Sequence, residues 1–352
     1  MKFWLIPAAS LVVLVLAIVV GVSSLLAVLC AASLVGAVIA AVHHAEVVAH
    51  RVGEPFGTLV LAVAVTVIEA SLILSMMFAG GKDAATVPRD TIYAAVMIIF
   101  NGVVGLCILV GGLTHHEQTF RVEGSSGGLA ALIVMSSLSL VLPTFTTTTV
   151  AGTYSSEQLG FVGVTSIMLW AVFVFVQTVR HRDYFLPVDT SNAESHARPP
   201  SNRQAVLSFA LLIVCLVSVV GLAKLLTPTV ENLVVRAGAP KAVIGIVIAM
   251  LVLLPETGAA VRAAHANRLQ TSMNLAIGSA LASIGLTIPV VALASIIFGL
   301  PLHLGLDPKD LVMLAVTLLV SSVTLGAGRT YLMQGAVHLV LFGAYLFLAF
   351  VP

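Results

Sequence analysis

The chain has 352 residues, of which 59% are hydrophobic and only 9% charged, against about a quarter charged in a soluble domain, so a water-soluble globular fold is excluded. Its 16 Lys and Arg nearly balance 15 Asp and Glu, for a formal charge of +1, and offer nucleic acid no basic surface. Cys30, Cys107 and Cys215 lie far apart in apolar runs with no C-x-x-C pair. They read as small core residues rather than zinc or redox ligands.

A membrane span needs about 20 mostly apolar residues, and runs of that kind fall near 3–20, 23–42, 56–79, 91–112, 128–149, 160–180, 205–226, 238–260, 272–298, 309–326 and 331–351. The expected fold is therefore an all-α membrane protein of about eleven transmembrane helices. The first run follows a lone Lys2 and reaches Gly21 without a clear small-x-small cleavage site, so it reads as a retained helix rather than a signal peptide. The long polar stretch from Arg180 to Arg203 has no apolar periodicity and reads as a solvated linker.

Residues 1–20 are thus expected to form an extra N-terminal helix, 21–180 a first five-helix unit, 181–204 the linker and 205–352 a second five-helix unit. Five is odd, so the two units insert with opposite orientation, the arithmetic of inverted repeats with a site near the midplane. Loop charges orient the whole. Lys2, Arg51, Arg121, Arg180, Arg182, Arg198, Arg203, Arg262, Arg268 and Arg329 fall on one side, and Lys82, Arg89, Lys224, Arg236, Lys241 and Lys309 on the other. Basic residues collect in the cytoplasm, which predicts a cytoplasmic N-terminus and linker in a cell inner membrane.

Two acidic residues interrupt this apolar pattern. Glu69 lies thirteen residues after Phe56 and ten before Ala79, near the middle of its span, and Glu256 follows Pro255 in the eighth. A carboxylate at a helix centre costs about 2.5–3.5 kcal/mol on insertion scales, so such groups line polar pathways. Each glutamate is in the second helix of its unit, so the two are expected to share one site. Paired carboxylates suit a hard cation with oxygen ligands, and desolvation disfavours their empty, doubly ionised state. Proton and cation then compete for one site, as an antiporter requires. Pro255 has no N–H to give, which frees a carbonyl one turn back.

Polar neighbours are candidate ligands or proton-path partners: Asn101 and Ser283 in the third helix of each unit, Ser279 one turn before Ser283, and Thr66 three residues before Glu69. Hydrogen bonding between helices is the plainer reading of all four. His43, Glu46 and His50 share a helical face and read as a polar, cytoplasmic helix end, with a pH sensor or an accessory metal site as the alternative. His338, with Gln334 one turn earlier, reads as an interhelical hydrogen bond. Gly102, Gly105, Gly326 and Gly328 read as glycines that let helices approach closely or let one helix break.

These segments resemble the calcium/proton exchangers of the cation exchanger family along nearly the whole chain. AEVVAHRVGEPFGTLVLAVAVTVIEASLI looks like the family's first alpha repeat, with Gly53, Gly57 and Glu69 at its spacing. LLPETGAAVRAAHANRLQTSMNLAIGSALASIGLTIPVV is similar to the second, with Glu256, Val261, Asn267, Gly278, Ser279 and Pro289 in register. GRTYLMQGAVHLVLFGAYLFLAF resembles the last helix and its turn. The resemblance implies that the two glutamates bind the transported cation and are protonated in exchange.

Members usually read G-N-x-x-E in both repeats, whereas this chain has Val65 and Thr66 before Glu69 and Val252 and Leu253 before Glu256. Ala282 stands at the family's glutamine position in the next helix. A site poorer in neutral oxygens holds calcium less tightly and leaves room for sodium or potassium. The expected function is a secondary transporter, not an enzyme, exporting Ca2+, or Na+ or K+, against protons by alternating access. Its partners are then inorganic cations, protons and the bilayer, with no cofactor and no nucleic acid. A sodium/calcium exchanger and a passive cation channel are the competing readings. A zinc protease is disfavoured because H-E-x-x-H is absent.

Overall fold

The computed structural model describes residues 4–52, 56–186, 200–236, 238, 240 and 242–351. Eleven long helices appear among them: α1 Leu5–Val20, α2 Ser24–Val52, α3 Phe56–Gly80, α4 Val87–His115, α5 Val122–Thr144, α6 Ser156–Arg180, α7 Asn202–Arg236, α8 Ala242–His265, α9 Leu269–Phe298, α10 Pro308–Gly326 and α11 Leu332–Phe350. Ten of these described helices are long and apolar enough to cross a membrane. The exception, α1, has 16 residues, about 24 Å at 1.5 Å per residue against a hydrocarbon core of about 30 Å. It packs on α2 and α7, where Gly221 leaves the space that the Leu14 side chain fills.

Several helices outrun their apolar runs. α2 continues through His43 and Glu46 to Val52, and α4 begins at Val87. Polar residues can extend a helix beyond hydrocarbon, so hydropathy alone underestimates its length. α7 runs through Pro228 to Arg236. α5 instead starts at Val122 and ends at Thr144, closed by a π turn at Ser137–Val141 and a 3-10 turn at Leu142–Thr144.

Burial sorts the bundle. The most apolar window of α4 is 78% buried and that of α11 only 22%, so α4 is a core helix and α11 a peripheral one. A helix apolar on all sides must be enclosed by protein or lipid. Val12, Leu25, Phe161, Val164, Leu293 and Val340 are exposed and form part of the lipid-facing belt. Contacts reciprocate between the units: α2 packs on α7, α3 on α9, α4 on α8, α6 on α9 and α11 on α4.

A short antiparallel pair, β1 Glu117–Thr119 and β2 Arg329–Tyr331, joins the loop after α4 to the turn before α11. The apolar pattern gave no sign of it. Its central Gln118 is buried and donates to the Ala264 carbonyl and to Asn267 Oδ1, both at 2.9 Å. Asn267 (φ +57) closes α8 in the left-handed region, and the Arg268 N–H returns to the Ala263 carbonyl at 2.9 Å. The end of the glutamate-bearing α8 is therefore fixed to β1.

The glycine readings divide. A Cβ on Gly105 would lie 2.9 Å from the His338 Cβ, and one on Gly102 would touch the Phe342 ring, so both bring α4 close to α11. Gly326 is different, because a Cβ there would meet open space. It packs nothing closely and instead stands at the end of α10. Gly328 has φ +70 and makes the turn into β2.

Candidate functional site

Glu69 lies deep within α3, thirteen residues from Phe56 and eleven from Gly80, and is 4% exposed. α3 packs against α9, and Ser283 Oγ donates to Glu69 Oε1 at 2.6 Å. This is a short, charge-assisted geometry if the carboxylate is ionised. Thr66 is buried on the same helix one turn earlier. Gly53 lies outside the described residues.

Glu256 stands across from this pair on α8. Its Oε2 is buried and has no hydrogen-bond partner. An orphaned buried carboxylate oxygen is costly, and it marks a position that a cation or proton would satisfy. Beside it is a small cavity of about 10 Å³, lined by Ile99 and Val103 of α4, Leu253, Thr257 and Ala260 of α8, and Leu275, Ala276 and Ser279 of α9. That is about the space of one water-sized sphere. Thr257 turns its hydroxyl back to the Leu253 carbonyl at 2.7 Å. α3 packs on α8, so the two glutamate-bearing helices form one unit.

The structure brings five of the six candidates toward this unit. Ser283 holds Glu69, Ser279 lines the cavity at Glu256, and Thr66 sits beside them on α3; with Glu69 and Glu256 themselves, α3, α8 and α9 supply all of these groups. Asn101 is placed otherwise. It is fully buried, its Nδ2 donates to Thr317 Oγ1 at 2.8 Å, and its Oδ1 lies 3.4 Å from His338 Nδ1. Its polar atoms therefore face α10 and α11.

Sequence reasoning missed three features. Thr317, Ser321 and Thr324 are four and three residues apart on α10 and fully or almost fully buried. Their helical spacing was legible but small hydroxyls are common in spans. Glu46 looked like a surface helix end; it is exposed, and its helix α2 packs on α8, the helix that carries Glu256. Arg89, read as a loop charge, and its neighbour Asp90 are each 8% exposed. Among the described residues no three His, Cys, Asp or Glu side chains converge as a metal cluster.

The buried Glu69 and the half-buried Glu256, set among crossing apolar helices, mark a polytopic membrane protein with acidic groups inside its apolar helices. The chain belongs to the sodium/calcium exchanger protein family, whose model matches residues 16–179 and 207–351 and so flanks the linker on both sides. It is 47% identical over 352 residues to the putative ionic transporter y4hA of Sinorhizobium fredii, covering 99% of this chain and 96% of that protein. It is 35% identical to the sodium-potassium/proton antiporter ChaA of Escherichia coli over 88% of this chain and 84% of the relative. In fold it matches the solved structure of native YfkE at a TM-score of 0.74, with 19% identity and 99% and 100% of the two chains covered. The H+/Ca2+ exchanger CAX gives 0.73 at 14% identity, covering 98% and 87%. The chain is a cation exchanger of the membrane.

Proposed function

We propose that this protein is a secondary antiporter that exports Ca2+, with Na+ or K+ as further substrates, in exchange for protons, through a site formed by Glu69 and Glu256. The observation that carries this reading is the asymmetry of the two intramembrane carboxylates. Glu69 has a donor, Ser283, while Glu256 Oε2 has none and faces a cavity. A cation entering there meets two acidic oxygens with Ser279 and Ser283 nearby, and its departure leaves a charge pair that protonation relieves.

The reciprocal packing of α3 on α9 and of α4 on α8 supports two inverted five-helix units, 21–180 and 205–352. Alternating access would then expose the glutamates to one side at a time. The N-terminus and the linker face the cytoplasm of a bacterial inner membrane. Relatives described as sodium-potassium/proton and Ca2+/H+ antiporters support proton coupling over sodium-driven calcium exchange.

Purified protein in liposomes with a trapped pH dye, challenged in turn with Ca2+, Na+ and K+, tests the reading. Cation-driven proton movement against the dye's resting signal is expected. Flux with no proton movement, driven by a sodium gradient alone, would replace it with sodium/calcium exchange, and downhill flux without any coupling would indicate a channel. Ser283→Ala should raise the half-saturating cation concentration about tenfold, the effect of one lost charge-assisted hydrogen bond. An unchanged value in the same liposomes would remove Ser283 from the site.

A further inference from the structure

A buried chain of polar groups outside the glutamate pair meets at Asn101. Thr324, His338, Asn101, Thr317 and Met97 are each no more than 2% exposed. His338 Nε2 is 3.0 Å from Thr324 Oγ1, and His338 Nδ1 is 3.4 Å from Asn101 Oδ1. Asn101 Nδ2 donates to Thr317 Oγ1 at 2.8 Å, and that hydroxyl donates to Met97 Sδ at 3.5 Å.

The chemistry orders the protons. An amide oxygen carries none, so the ring must donate from Nδ1, and a neutral ring then accepts the Thr324 hydroxyl proton at Nε2. Every donor in the chain thus points the same way, from α10 through α11 and α4 to α10 and back to α4. Such aligned hydrogen bonds reinforce one another in a low-dielectric interior.

Asn101 lies inside the π turn Ile98–Val103 of α4. A π turn breaks the regular backbone ladder and is found most often at functional sites. Gly105 allows the approach of α11, since a Cβ there would lie 2.9 Å from the His338 Cβ. Ile99 and Val103 flank Asn101 in the same turn, and both line the cavity beside Glu256. The turn therefore has one polar face pinned by α10 and α11 and one apolar face against the site.

We propose that His338 is a positioning residue for cation exchange: by locking Asn101 and the π turn it fixes the wall that Ile99 and Val103 present to Glu256. This rests on the reading that Glu256 binds the cation. His338 touches no substrate, so its effect appears in how well the cavity accepts the ion.

Removing the ring should raise the half-saturating cation concentration while leaving the maximal rate nearly unchanged. For His338→Leu the expected rise is about tenfold in liposomes, the scale of one buried hydrogen bond lost. His338→Asn, which puts an amide N–H near the position of Nδ1, should recover most of it. Asn101→Leu should reproduce the shift, and combining it with His338→Leu should add little, because the two act through one contact. A contact that only stabilises the fold would lower thermal stability with the half-saturating concentration unchanged, which would overturn the proposal, as would failure of His338→Asn to recover affinity. Should His338→Leu not fold, His338→Asn and Asn101→Leu decide between the same outcomes. If the wild-type protein moves no protons, the antiport reading fails instead. Equilibrium binding of radioactive calcium or sodium to the same variants then still reads the cavity, and equal binding by all of them overturns the positioning role.

Discussion

Glu256→Gln and Glu69→Gln should each abolish cation-driven proton release in everted vesicles. Glutamine keeps the volume and one oxygen of the side chain but carries no charge and does not titrate. Burial makes the loss severe, because no bulk water stands in for the missing ligand charge. The expected decrease at fixed cation concentration is about a hundredfold or more, about 2.8 kcal/mol at 1.4 kcal/mol per decade. The two variants should differ in one respect. Glutamine at 69 still offers Oε1 to Ser283 and should fold as well as the wild type, whereas at 256 it replaces an oxygen with no partner and should be neutral or stabilising. Full cation-driven proton release by either variant would refute the paired-glutamate site.

Breaking the buried pair at the start of α4 should be the most damaging change to stability. Arg89 Nε donates to Asp90 Oδ1 at 2.8 Å and Nη1 to the Gly305 carbonyl at 2.9 Å, which ties α4 to the loop before α10. The further approach to Asp307 at 3.8 Å involves a 60% exposed carboxylate and adds little. Arg89→Met leaves Asp90 buried without its cation and the Gly305 carbonyl without this donor. Removing one member of a buried ion pair costs about 3–5 kcal/mol, while replacing both members by apolar groups is often close to neutral. Arg89→Met should therefore shorten the half-life of the folded protein on heating in detergent, and Arg89→Met with Asp90→Leu should restore much of it. Equal half-lives for the single variant and the wild type would show that the pair holds nothing.

The sequence by itself determined the class of fold and the position of the acidic site. Long apolar runs can only be satisfied as helices in lipid, and a glutamate amid such a run is legible because nothing else in its window is charged. Ser279 and Ser283 were legible for the same reason, through their spacing. The tertiary structure alone decided what helix crossing creates. It set Ser283 against Glu69 across α3 and α9, left Glu256 Oε2 at a cavity, and turned Asn101 toward His338 instead. Helical periodicity places a residue on a face without saying which neighbour that face will meet. The Arg89–Asp90 pair shows the same limit, because a charge near a helix end looks identical in sequence whether the bundle encloses it or water does. The β1–β2 pair was invisible for a related reason: three residues in each strand carry no period to detect, and only the meeting of two distant loops gives them a ladder.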